Sequence, residues 1–326
     1  MNAPPDAMAA PVLGAGLSLL LLLGLLRRPD LLVDRPNQRS LHVQPVPRTG
    51  GIAVVVGFLG SAALLLPEYK IFYLLALLIA LVSLVDDWQN LSPLPRFGAQ
   101  GLIAAAFAFY GLGYGSIAET IFLILALVWV TNLFNFMDGS DGLAGGMAVI
   151  GFCCYALGAW MAGNDSLALL CGTIAAASLP FLIANFHPAR IFMGDIGAIT
   201  LGFAASALGA LGWREGVWSP FFPVFAFAPF IADASLTLLH RILARQRFWE
   251  PHRDHYYQKL VRMGLGHRNT ALAEYAAMLV SCCGAIATLF LDGVTQLIVI
   301  VAWGAILLLV GHQIDKRWVR HKAGGA

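Results

Sequence analysis

The sequence predicts an all-α integral membrane protein of about eleven transmembrane helices, built as one polytopic domain over residues 1–326. Three observations predict it. Hydrophobic residues make up 59% of the chain and charged residues 12%, with a mean hydropathy of +0.76. A soluble chain of this size cannot cover its surface with so few charges. Apolar runs approaching the ~20 residues needed to cross a bilayer recur from end to end. Those runs also sort the basic residues onto one side of the membrane.

The runs lie near 8–26, 51–67, 71–86, 97–114, 117–136, 142–161, 166–186, 196–213, 217–239, 271–291 and 294–312. No basic segment precedes the first, so it reads as a retained helix and not a cleaved signal. The third ends in Asp86-Asp87, and the eighth is rich in Gly and Ala. With the N-terminus periplasmic, threading the eleven spans leaves eighteen of the twenty Lys and Arg inside, and only Lys70 and Arg214 outside. The C-terminus and a loop at about 241–270 then fall in the cytoplasm. A net charge of +2 gives no argument for nucleic acid. The five cysteines (Cys153, Cys154, Cys171, Cys282, Cys283) lie in apolar runs without metal-ligand spacing and read as packing residues.

Chemistry concentrates in Thr131–Gly142, directly after the hydrocarbon run Ile121–Val130. A helix continuing through it sets Asn132, Asn135 and Asp138 three apart on one face, and Asp138 and Asp141 share that spacing. Amides and carboxylates at the mouth of an apolar helix need a partner. A divalent cation, alone or with a phosphate ligand, is that partner. Oxygen donors select magnesium or manganese, and no histidine spacing supports zinc.

Three other stretches carry comparable content. Asp86-Asp87, with Arg96 shortly after, places two repelling carboxylates at a helix C-terminus, where a nearby cation is needed to keep both ionised. Asn185–Gly197 sets Asp195 between glycines at the start of a span, where a carboxylate can reach a metal, and adds Phe192 as a stacking surface. Glu250–Gln258 contains His252, Arg253 and His255, a density suited to a diphosphate or sugar. Arg48 stands beside Gly50-Gly51, where paired glycines permit close backbone approach, and is a candidate phosphate contact. Asp233 is a lone acid inside the ninth span, with Arg241 two turns on, or another helix, as its partner.

Threading brings all these stretches to the cytoplasmic face. That asymmetry points to one active site there and argues against a transporter, whose polar groups line a path across the membrane.

Taken together, Asp86-Asp87, Asn132-x-x-Asn135-x-x-Asp138-Gly-Ser-Asp141-Gly-Leu, Phe192-Met-Gly-Asp195 and His252-Arg-x-His255 resemble the polyprenyl-phosphate N-acetylhexosamine-1-phosphate transferases, of the glycosyltransferase 4 type. The resemblance runs from about Asp34 to Gln258 in the family's order. The opening Asp34-Arg35-Pro36-Asn37-x-Arg39-Ser40-Leu41-His42 and the histidine loop look most like the O-antigen branch. Gly197-Ala198 departs from the expected Gly-Ser and puts a secondary phosphate or hydroxyl contact in question.

The resemblance implies a multi-pass enzyme of the bacterial inner membrane. Undecaprenyl phosphate attacks the β-phosphorus of a UDP-N-acetylhexosamine, giving a lipid-diphosphate-sugar and UMP. Carried over by motif, Asp86, Asp87 and Asp195 are catalytic, with Asp195 and Asp87 on magnesium. Arg48, Asn132, Asn135, Asp138, Asp141, Phe192, His252, Arg253 and His255 bind substrate. The family inclines the assembly toward a homodimer. The rivals are a flippase of lipid-linked sugars, the peptidoglycan branch's phospho-N-acetylmuramoyl-pentapeptide transferase, and a CDP-alcohol phosphotransferase. The last continues its Asp-Gly motif with Ala-Arg and two further aspartates, where this chain has Leu143-Ala144-Gly145-Gly146.

Overall fold

The computed structural model describes residues 5–36, 41, 44–113, 115–247 and 252–324. After α1 (Ala10–Leu26) comes a short antiparallel ribbon, β1 (Val33–Asp34) with β2 (Val46–Pro47), in which Val33 faces Pro47. Helices α2 (Gly50–Leu65), α3 (Lys70–Gln89), α4 (Pro93–Ala106), α5 (Ile117–Met137), α6 (Leu143–Met161), α7 (Asp165–Asn185) and α8 (Gly194–Arg214) follow. The chain then forms α9 (Phe221–Ala226), α10 (Ala228–Leu243), α11 (Tyr256–Leu260), α12 (Gly266–Thr288) and α13 (Gly293–Gly324). Of the motif after α1, Asn37, Arg39, Ser40 and His42 lie outside the described residues, as do Glu250 and Pro251 of the histidine loop.

Local chemistry explains where several helices begin. The Ser116 hydroxyl accepts from Glu119 N at the start of α5, and Asn164 accepts from Leu167 N at the start of α7. Asp292 accepts from Val294 N and Thr295 N ahead of α13. Each supplies an acceptor to an amide that the helix itself cannot satisfy.

A helix stands at each of the eleven expected positions. Among the described residues, eight are long and apolar enough to cross a membrane: those containing α1, α3, α5, α6, α7, α8, α12 and α13. The other three differ for physical reasons. At 1.5 Å per residue α2 is only about 24 Å long, α4 carries Arg96 and runs into a π-helical turn, and the stretch 221–243 is broken at Phe227. The molecule is an all-α, multi-pass membrane protein.

Helix α8 lies at the centre, against α2, α3, α5 and α6, and nearly every residue from Ile196 to Gly212 is buried. Its Gly and Ala content suits that place, because small side chains let neighbouring backbones approach where packing, not water exclusion, drives association. The long apolar side chains of α13, such as Ile298 and Leu309, face outward instead. Exposure of that kind costs nothing against lipid.

A close backbone approach joins the start of α2 to the start of α8. Gly50 N and Gly51 N donate to the carbonyls of Phe192 and Met193 at 2.9 and 2.8 Å. A Cβ on Gly51 would stand 2.4 Å from Gly197 Cα. Gly51→Ala should therefore lower the thermal unfolding midpoint in detergent, corresponding to ~1–3 kcal/mol of overpacking. An unchanged midpoint would mean that this contact is not as tight as described.

Candidate active site

Helices α3, α5 and α8 bring their polar ends to the same end of the bundle. Asp87, buried at the end of α3, aims its carboxylate at the first turn of α8. Its Oδ1 accepts from Asp195 N at 3.1 Å and its Oδ2 from Ile196 N at 2.9 Å. Two amides that α8 leaves unpaired are thus capped by a residue 108 positions away. The negative charge also opposes the positive end of the helix dipole. Gly194 makes this seat: its φ is +73°, and a Cβ there would meet the Arg48 carbonyl at 2.4 Å.

The paired carboxylates have separate cations. Arg48 Nη2 donates to the Asp87 carbonyl, and its Nε lies 3.7 Å from Asp87 Oδ1. Arg96 Nε sits 2.9 Å from Asp86 Oδ2, while Leu91 N donates to Asp86 Oδ1 at 2.8 Å. Arg96 also reaches Asp195: its Nη2 is 3.5 Å from Oδ2. Asn135 Nδ2 donates to the other oxygen of Asp195 at 3.3 Å. Asp195, the most exposed of these three acids, is therefore held from below by its own helix and from the sides by α4 and α5.

Helix α5 stops at Met137, so helical spacing does not carry Asp138 and Asp141 onto one face. Asp138 caps the helix and stays beside the acid cluster. Burial, together with the charges of Asp195, Asp87 and Asp34, pushes its carboxyl well above the usual carboxylate range. Asp34, which the spacing argument passed over, belongs to this neighbourhood. Asn132 points elsewhere: its amide donates to Gln100 Oε1 at 2.6 Å and is buried. One turn deeper than Asn135, it joins α5 to α4 and does not reach Asp195.

Asp141 enters a different group. Its Oδ2 accepts from His187 Nδ1 at 2.6 Å and from Ala189 N at 3.1 Å. His267 stacks on His187 with centroids 5.4 Å apart, and its Nδ1 is 2.9 Å from Ser140 Oγ. Asn185 accepts from Gly142 N and donates to Ile191 O, both at 2.9 Å. These residues clamp the Gly139–Gly142 turn to the loop before α8. His267 carried no signal in the sequence, being an isolated histidine at a helix start.

Phe192 is half-buried at that loop, its amide donating to Pro47 O at 2.7 Å. In the histidine loop, His252 and His255 stack at 5.0 Å, and Phe136 of α5 lies 6.0 Å from His255. Arg253 is half-buried, its carbonyl accepting from Arg262 Nη1 at 3.3 Å. Arg241 pairs with Asp254, so it is not the partner of Asp233; that acid binds the histidine loop itself.

Among the described residues, no three Asp, Glu, His or Cys side chains close around a single point as a metal cage. The donor set nonetheless suits magnesium, which takes one or two carboxylates and completes its shell with water and substrate phosphates. Asp195, partly exposed, and Asp138, close enough to feel its charge, are the carboxylates that would supply the oxygens. Asp87 has committed one lone pair of each oxygen to α8 and retains the others.

A family model, glycosyl transferase family 4, matches residues 69–212. The probable undecaprenyl-phosphate N-acetylglucosaminyl 1-phosphate transferase of Bacillus subtilis (strain 168) is 33% identical over 262 residues, or 74% of this chain and 73% of the relative. The chain belongs to the polyprenyl-phosphate sugar-1-phosphate transferases. A second relative is the decaprenyl-phosphate N-acetylglucosaminephosphotransferase of Mycobacterium tuberculosis (strain ATCC 25618 / H37Rv), 31% identical over 80% of this chain and 76% of its own length. The undecaprenyl-phosphate alpha-N-acetylglucosaminyl 1-phosphate transferase of Escherichia coli (strain K12) is 28% identical over 88% and 84%. The family model spans Asp86, Asp87, Asn135, Asp138 and Asp195, and ends before the histidine loop. The transporter and CDP-alcohol readings fall with this membership: the protein is a sugar-1-phosphate transferase.

The histidine loop carries a pH signature. Burial, then the neighbouring His255 and Arg241, push His252 down to about 4. A depressed pKa favours the neutral ring in the folded state, so its contribution is complete above pH ~6.5 and is lost as pH falls through the folded value. Wild type should therefore lose more thermal stability between pH 6.5 and 4 than His252→Gln does. Parallel losses would show that His252 is not held neutral by the fold.

Proposed function

We propose that this transferase moves an N-acetylhexosamine-1-phosphate from a UDP-sugar to undecaprenyl phosphate, releasing UMP. The observation that carries the reading is the convergence of Asp195, Asn135, Asp138 and Arg96 at one end of the bundle. Phosphoryl transfer needs charge stabilisation and in-line positioning more than covalent help from the protein. The site faces the cytoplasm of a bacterial inner membrane, where a lipid phosphate meets a soluble nucleotide sugar. The one-sided distribution of Lys and Arg supports that orientation.

Each group has a part. Asp195 and Asp138, with Asp87 behind them, would hold magnesium or manganese, which would supply charge neutralisation for the diphosphate. Arg96, between Asp86 and Asp195, offers a guanidinium to phosphoryl oxygens, and Arg48 does so from the other side. An oxygen of the lipid phosphate attacks the β-phosphorus, the bond from that phosphorus to the bridging oxygen breaks, and UMP departs. A phosphate monoester with a second pKa of ~6 is already largely ionised at neutral pH, so the step is a direct displacement with little need for a base. Phe192 stacks on uracil, and Asp141 with its two histidines shapes the nucleotide end. His252, Arg253 and His255 contact the diphosphate or the sugar. Asn132 supports Asn135 from one turn below.

N-acetylglucosamine is the first sugar to test, since the relatives' names specify it. The product initiates O-antigen or another surface polysaccharide, a branch supported by the Asp34–His42 and His252–Gln258 motifs.

The test is UMP release by purified protein in detergent, with undecaprenyl phosphate, magnesium and a panel of UDP-N-acetylhexosamines. Release should require lipid and metal, and Asp195→Asn should lower kcat by about 10³-fold or more. Undiminished turnover in that variant would remove Asp195 from the mechanism.

A further inference from the structure

Asp233 is an acid that the proposed reaction leaves without a task. It is buried, 5% exposed, inside α10, and four donors converge on its carboxylate. His255 Nδ1, Tyr256 N and Thr237 Oγ1 lie 3.0, 3.0 and 3.2 Å from Oδ1, and Tyr257 N lies 3.0 Å from Oδ2. Three of the four belong to the segment that begins the histidine loop's helix. The arrangement repeats what Asp87 does for α8: a buried carboxylate from one helix caps the start of another and fixes the residue that opens it.

The histidine bond has a chemical consequence. A carboxylate oxygen only accepts, so Nδ1 carries the proton that joins the two side chains. That fixes the tautomer and leaves Nε2 as the ring's second functional atom. The ring plane is fixed too, by stacking on His252 at 5.0 Å, Tyr257 at 5.8 Å and Phe136 at 6.0 Å. Phe136 adjoins Asn135 and precedes Asp138 by two residues, and the Tyr257 hydroxyl donates to its carbonyl at 3.1 Å. The loop is thereby moored to the end of α5 that carries the acid cluster. No Lys or Arg bonds to Asp233 among the described contacts, and Arg241, two turns along the same helix, is spent on Asp254.

We propose that Asp233 is a positioning residue of the transferase: it acts through His255, holding that imidazole in one tautomer and one orientation toward the site beside Asn135 and Asp138. This rests on the reading that the histidine loop touches the diphosphate or sugar.

A double-mutant cycle in UMP release tests it, with undecaprenyl phosphate, UDP-N-acetylglucosamine and magnesium as substrates. His255→Gln should lower kcat roughly 10–100-fold, as should Asp233→Asn, the loss expected when a partner that orients a functional histidine is removed. KM for the nucleotide sugar should move less than about threefold in Asp233→Asn, because the donor's own contacts stay in place. The double variant should turn over within about threefold of His255→Gln alone, since a residue that acts only through His255 has nothing further to lose. A double variant whose losses multiply would overturn the proposal and make Asp233 a general support of the fold. Wild-type turnover in His255→Gln would instead overturn the reading of the loop, and the proposal with it. If Asp233→Asn does not fold, Thr237→Val removes one of the four donors and spares the carboxylate, and its coupling to His255 decides the same question.

Discussion

The active-site end depends on one buried contact, the Asp87 carboxylate on the amides of Asp195 and Ile196. A buried carboxylate is tolerable only where donors replace its hydration, and the unpaired amides of a helix start are such donors. The same contact settles where α8 begins and how Asp195 is presented. Because α8 is the central helix, against α2, α3, α5 and α6, the cap also fixes those helix ends relative to one another. Gly51 and Gly194 then follow from geometry: two backbones meet where no side chain fits.

The electrostatics of the site follow from that placement. Asp86, Asp87, Asp138 and Asp195 crowd one end of an apolar bundle, and Arg48 and Arg96 answer only part of their charge. Burial first, and then the residual negative charge, raises Asp138, and such a cluster of oxygens would suit a hard cation. A lipid phosphate and a nucleotide diphosphate are anions, so a site that collects cations between its acids suits their meeting. The polar groups hold one another in place through hydrogen bonds and ion pairs, which is how a fold contributes to a reaction that needs little covalent help.

Much of this was legible in the sequence, and the exceptions share a cause. Apolar run length located the helices, and the pairing of Gly50 with Gly51 announced a close approach that the α2–α8 contact realises. The joint pattern of Asp86-Asp87, Asn135, Asp138 and Asp195 identified the family, because several polar motifs at helix ends rarely agree by accident. Spacing misled where a helix ended sooner than assumed: α5 stops at Met137, which separates Asp138 from Asp141. Spacing also cannot distinguish two polar residues on one helix by depth, and so it groups Asn132 with Asn135 although Asn132 bonds to Gln100. Partners far apart in sequence left no local trace. Asp233 meets His255 from 22 positions away, and Asp141 meets His267 from 126. The count of spans comes from apolar runs and their orientation from charge, and three of the eleven helical segments are too short or too interrupted to identify by length and apolarity.

Asp87 holds the start of α8, and in the proposed reaction Asp195 and Asp138 would face the cation. Anomalous diffraction from crystals grown with manganese tests it most directly. The expected result is a peak beside Asp195 and Asp138, with the Asp87 carboxylate still on the amides of Asp195 and Ile196. A peak held by Asp86 away from Asp195, or an Asp87 swung off the helix to bind the metal, would contradict it.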